Sequence, residues 1–189
     1  MRAAPIPDNE AARLETLRQY QVLDTDSEET FDDLTRLAAY ICQTPAALIS
    51  LVDTNRQWFK ARVGIQARET PRNISFCGHA ILHRDCFIIE DALFDERFAD
   101  NPLVVNEPFV RFYAGMPLWS PEGFAIGTLC VMDRKPHTLD AKQIGALGML
   151  ANQVMSQLDL RREVRFCTTA LEKRKRAEGK AKQGGLDHS

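Results

Sequence analysis

Cys77 and His79, two positions apart in the apolar run Phe76-Cys77-Gly78-His79-Ala80-Ile81, are the side chains of this sequence best suited to chemistry. A thiol and an imidazole so placed could form a redox centre, a metal site, a chromophore anchor or the wall of a binding pocket. Ser75 stands where its hydroxyl can take an orphan backbone N–H and start a helix, with Ile81 and Leu82 supplying buried surface. On a helix, residues two apart point to nearly opposite sides, whereas residues four apart share a face. Cys77 and His79 therefore do not converge on one atom, while His79 and His83 do share a face, with Cys86 three positions further on. That spacing would suit zinc, but no Glu accompanies the pair and Arg84 is adjacent, so no metal is expected.

The elements that must position these residues can be read from periodicity. Residues 8–20 and a second helix opening at Asp26-Ser27-Glu28-Glu29 come first, the latter with a capping-box pattern. Phe31, Leu34, Leu37, Ala38 and Ile41 lie on one face of the second helix, which ends at Pro45. Residues 46–53 read as a buried strand and 57–63 as its hairpin partner, followed by a short strand at 87–90. A second hairpin joins 109–119 to 124–132 through Ser120-Pro121-Glu122-Gly123, a type I turn pattern. In its first strand Phe112, Ala114, Met116 and Leu118 alternate with Arg111, Tyr113, Gly115 and Pro117. The apolar set is expected to pack on helices, turning Arg111 and Tyr113 toward a pocket where a guanidinium suits a carboxylate or phosphate, with pairing of Arg111 to a loop acid the equal alternative. Trp58, Cys77 and His79 are the other expected wall residues. The elements do not alternate strand with helix, so an antiparallel α+β arrangement fits.

The last helix spans about residues 138–177. Leu147, Ala151, Val154 and Leu158 form one apolar seam, and Leu160, Val164, Cys167 and Leu171 form a second, one residue out of phase. The second seam predicts a parallel homodimer through the terminal helices. Residues 1–160 thus read as one domain, 161–178 as a helical signalling extension and 179–189 as a disordered polar tail.

Composition narrows the class. The chain has 189 residues with a net charge of −2, and its five cysteines are odd in number and scattered, as in a reduced cytoplasmic protein. No apolar run suits a bilayer. Residues 161–182 hold nine Lys or Arg against three Glu, but no aromatic interleaves the run 173–176, so neither nucleic acid nor membrane is expected as a partner.

Six blocks in order carry a resemblance: Ala47-Leu48-Ile49-Ser50-Leu51-Val52-Asp53, Arg56-Gln57-Trp58-Phe59-Lys60-Ala61, the 76–81 run, Asp95-Glu96-Arg97-Phe98, Phe112-Tyr113-Ala114-Gly115-Met116-Pro117-Leu118 and Gly127-Thr128-Leu129-Cys130-Val131-Met132-Asp133. Over roughly residues 14–160 the chain resembles the GAF domains of bacterial sensor kinases and cyclic-di-GMP enzymes such as diguanylate cyclases. The resemblance implies a six-stranded antiparallel sheet with terminal helices on one face and a small-molecule pocket on the other. It also implies terminal helices that dimerise and carry signals.

Among functions of that family, the cyclic-nucleotide signature fails because Asn55-Arg56 and Phe94-Asp95-Glu96 have different spacing, and covalent bilin fails because Gly78 separates Cys77 from His79. The ligand and any cofactor stay open. The expectation is a non-catalytic sensory module, not an enzyme, working through a separate signalling partner or a removed output domain. The alternative is an enzyme like free methionine-(R)-sulfoxide reductase using Cys77 and Cys86; residues 91–108 lack the attacking cysteine that chemistry needs.

Overall fold

Every residue of β1 (Ala46–Val52) is buried, which requires neighbours on both edges and cover on both faces. The computed structural model supplies them; it describes residues 1–184, with side chains through 176. β1 pairs with β2 (Arg56–Val63) on one side and with the last strand, β6 (Ala125–Asp133), on the other. β3 (Glu69–Pro71) extends one edge, and β5 (Phe112–Trp119) and β4 (Phe87–Ile89) extend the other. The six-stranded order is β3-β2-β1-β6-β5-β4, with every pair antiparallel.

One face carries α1 (Glu10–Gln19), α2 (Glu29–Cys42) and α5 (Ala141–Gly184). Leu17, Phe31 and Ala38 meet Ile49, Leu51, Phe112 and Leu129 there in one apolar core. Each large side chain so buried contributes about 1.5–3 kcal/mol. The other face is covered by α3 (Phe76–Ala80), α4 (Pro102–Val105) and the segments between them.

The expected alternation in β5 holds: Phe112, Ala114 and Leu118 join the helix-side core, Met116 packs against it, and Tyr113 lies on the α3 side. The first seam of α5 is buried, and the second is exposed: Leu160 and Val164 are 54% and 56% accessible. The tail expected to be disordered, residues 179–189, overlaps the end of α5, and 185–189 lie outside the described residues.

Two local expectations give way. The capping box at Asp26 does not form; Glu28 is the N-cap, with no side-chain cap bond. Lys60 explains the difference. Ile49 opposes Ala61 and Ser50 opposes Phe59, so Lys60 sits in a bulge with no residue opposite it. Its Nζ enters the helix layer and donates to the Asp26 carbonyl and the Glu28 carboxylate, both at 2.6 Å. Leu37, expected inward on α2, is 44% exposed, while Thr35 is buried and bonded to the Phe31 carbonyl. α2 ends at Gln43, whose φ of 54° is left-handed; the Thr44 amide then closes the helix on the Ala39 carbonyl at 3.0 Å, just before Pro45.

Candidate functional site

Ser75 fixes α3 as its sequence position implies: its hydroxyl accepts from the Gly78 amide at 2.8 Å. The short helix turns Phe76 and Cys77 down onto the sheet. Phe76 stacks on Phe98 with centroids 4.2 Å apart and on Tyr113 at 5.2 Å, so aromatic rings fill the space beneath α3. His79 meets the Phe98 ring edge-on at 4.8 Å. Burial lowers the His79 pKa, leaving the imidazole neutral at pH 7, and its Nε2–H donates to the Arg2 carbonyl at 3.0 Å. The N-terminal arm is thereby tied across α3, and the Arg2 amide also donates to the Arg97 carbonyl.

A polar chain runs under this layer. Gln57 accepts from Ser75 at 2.7 Å and from Ser50 at 3.3 Å, and its own amide donates to Thr70. Further along, the Tyr113 hydroxyl donates to Cys77 Sγ at 3.3 Å, and Cys77 Sγ lies 3.9 Å from Cys130 Sγ. Both sulfurs are buried. Burial opposes ionisation of Cys77, but the polar groups around its sulfur, Cys130, Thr128, Tyr113 and Ser50, outweigh it and lower its pKa. Cys130 is pushed the other way, well up, by its bond to Cys77 and by burial. Cys130 lies 53 positions from Cys77 and escapes any reading of local spacing.

The structure brings Cys77, His79 and Tyr113 to one layer, but the five expected wall residues do not share a pocket. Trp58 belongs to the helix-side core on the opposite face. Arg111 is clamped by Asp91 through two bonds of 2.7 and 2.6 Å, which lower the Asp91 pKa and leave the guanidinium committed to a neighbour's carboxylate. Cys86 packs with the helix-side core, whereas Cys77 belongs to the α3 side, so they cannot act as one redox couple and Cys86 cannot join His79 in a metal site. His83 instead stacks on Phe87 at 4.8 Å.

Open space on the α3 side lies at the end of the sheet. A cleft of about 490 Å³ has Ala46, Met132 and Val110 as its apolar floor, Ile65 as a wall and exposed Lys135 at its rim. Gly64 makes it possible. At φ 73° it turns the chain beside Pro45, whose carbonyl oxygen would lie 2.2 Å from a Cβ there. The apolar floor and a rim that holds Asp133 beside Lys135 fit a small molecule with an apolar body and a polar end.

The GAF domain family model matches residues 26–158. A cyclic di-GMP phosphodiesterase of Pseudomonas aeruginosa is 41% identical over 167 residues, which cover 88% of this chain and 28% of that protein. This chain thus spans under a third of the length of that relative. Among solved structures, the GAF domain of an Acinetobacter phosphoenolpyruvate-protein phosphotransferase superposes with a TM-score of 0.61 at 17% identity, covering 84% of this chain and 97% of that one. Free methionine-R-sulfoxide reductase of Neisseria meningitidis, solved with its substrate, gives 0.60 at 17% identity, covering 87% and 99%. At such identities these structures share the fold alone. The expectation that the protein is not an enzyme is overturned by the Pseudomonas relative, whose name is that of an enzyme. No helix among the described residues is long and apolar enough to cross a membrane.

Proposed function

Because the chain belongs to the GAF domain family, which supports a sensory or regulatory role, we propose that it is the sensory part of a cytoplasmic bacterial signalling system concerned with cyclic di-GMP turnover. It takes a small molecule on the α3 side of its sheet and passes the state of that site to α5, through which two copies pair.

The observation that carries this reading is the course of α5. Leu147, Ala151, Val154 and Leu158 are part of the domain core, and the same helix continues outward with Leu160, Val164, Phe166 and Leu171 exposed. A change in sheet or core packing therefore acts directly on an element that leaves the domain. The link to cyclic di-GMP rests on the Pseudomonas relative. The cleft at Ala46 and Met132 is the binding site, in place of a pocket shared by Trp58 and Arg111.

Native mass spectrometry of protein purified from cells tests the binding. The expected result is a co-purified small molecule that is lost when Ala46→Trp fills the cleft. A bound mass that survives this substitution in a folded variant places the site elsewhere, and protein that carries no added mass under any growth condition refutes the sensory reading.

A further inference from the structure

We propose that Cys77 and Cys130 are a reversible oxidation site, joined by a disulfide when the protein meets hydrogen peroxide. This goes beyond ligand sensing at the cleft and does not depend on it. Three observations carry it. The sulfurs face each other at 3.9 Å across the layer between α3 and the central strand β6. Closing to the disulfide length of about 2.05 Å asks roughly 1 Å of each side chain. Tyr113 directs its hydroxyl at Cys77 from 3.3 Å, so a donor stands in place beside that sulfur. Finally, the Thr128 hydroxyl is buried beside the pair with no hydrogen-bond partner among the described residues, and it favours the ionised form of either sulfur.

The Tyr113 hydrogen bond assigns the roles. Cys77, favoured as thiolate, attacks one peroxide oxygen; the O–O bond breaks, hydroxide leaves and takes up a proton as water, and Cys77 becomes a sulfenic acid. Cys130 then attacks the Cys77 sulfur, the S–O bond breaks, and the hydroxyl departs with the Cys130 proton as a second water. Two thiols have lost two electrons, and one peroxide has been reduced to two waters. Cys77 is only 2% exposed, so the oxidant must be small, and peroxide is little larger than water. The bond would fasten α3, held otherwise by packing and its Ser75 cap, covalently to the middle of the sheet.

The test treats the reduced full chain with hydrogen peroxide, blocks the remaining thiols and maps the peptides. The expected result is a cross-linked pair of peptides holding Cys77 and Cys130, a fall of two in a titre of five free thiols, and reversal of both by dithiothreitol. Cys77→Ser and Cys130→Ser should each abolish the cross-link. Because either variant could fold poorly, the peptide map of the unaltered chain decides. Oxidation of exposed Cys167 with Cys77 and Cys130 left reduced overturns the proposal. So does over-oxidation of Cys77 without a cross-link, or a cross-link that forms only after denaturant is added.

Discussion

The Tyr113 ring lies across Gly115, two residues along the same strand, so closely that a Cβ on Gly115 would sit 2.2 Å from the tyrosine hydroxyl oxygen and 2.7 Å from Cζ. Residues i and i+2 of a strand share a face, and only a missing side chain lets an aromatic ring fold over its neighbour in this way. Gly115 also stands opposite Cys130 in the β5–β6 register, which brings the tyrosine hydroxyl to the sulfur pair.

Gly115→Ala should therefore expel the Tyr113 ring and cost about 1–3 kcal/mol, the usual penalty for overpacking a filled core. Tyr113→Phe, which keeps the ring and removes the hydroxyl, should cost only about 1 kcal/mol. Urea denaturation of the two variants reads the difference. Equal losses would mean that the ring does not occupy the space above Gly115.

Glu10 joins two buried guanidinium groups, accepting two bonds of 2.8 Å from Arg13 and a further two-point contact from Arg72. Burial opposes its ionisation, but the bonds from Arg13 and Arg72 outweigh it and bring the pKa from 4.5 to about 2. Because folding lowers this pKa, the stabilisation is complete above pH 4.5 and is lost as the pH falls through about 2. Glu10→Gln leaves both cations uncompensated and should cost about 3 kcal/mol at neutral pH. Acid titrations followed by circular dichroism should show that deficit at pH 6 and its disappearance near pH 2. A deficit that persists in strong acid would remove the ionic explanation.

Alkylation by iodoacetamide at pH 8 should modify Cys167 first, since it is exposed on α5. Burial pushes the Cys42 thiol up to about 11 and the Cys86 thiol up to about 12, so both should stay unmodified until the protein unfolds. Mass spectrometry of timed samples gives the order. Early labelling of Cys86 would show that its surroundings are more open than the packing on the helix side allows.

The exposed stripe on α5 should hold two copies together, so light scattering at micromolar concentration should give a dimer, and Val164→Asp should give a monomer with an unchanged melting temperature. A wild-type monomer, or a dimer unaffected by the substitution, would exclude pairing through this face. Since Arg161 and Arg165 donate to the Gln21 carbonyl, the substitution at 164 spares the contacts that seat the helix.

Much of the scaffold was legible because it is periodic. The alternation in β5, the buried seam of α5 and the Ser75 cap all follow from spacing within a few residues. Trp58 shows where spacing misleads. Ala61 and Trp58 both face the helices although they are three apart, an odd separation that regular alternation forbids and that the bulge at Lys60 absorbs. The capping box failed for a related reason: a buried cation on β2 competes for the groups around Asp26. Arg111 suits a ligand or a loop acid equally by its sequence, and the choice of Asp91 depends on where a loop returns, which no local pattern states. The cysteine partner of Cys77 was out of reach for the same reason, and so were β3 and α4, each too short to show a period.

Tyr20 donates to Asp159 at 2.8 Å, Arg162 covers the Tyr20 ring at 4.5 Å, and Gln21 receives Arg161 and Arg165. This clasp is a fulcrum. Between it and Gly184 the helix extends by about 30 Å at 1.5 Å per residue. A tilt of about 10° at the clasp would swing the far end by roughly 5 Å over that length. A change at the sheet too small to alter any pairing would thus arrive at the end of α5 as a displacement as large as one turn of helix.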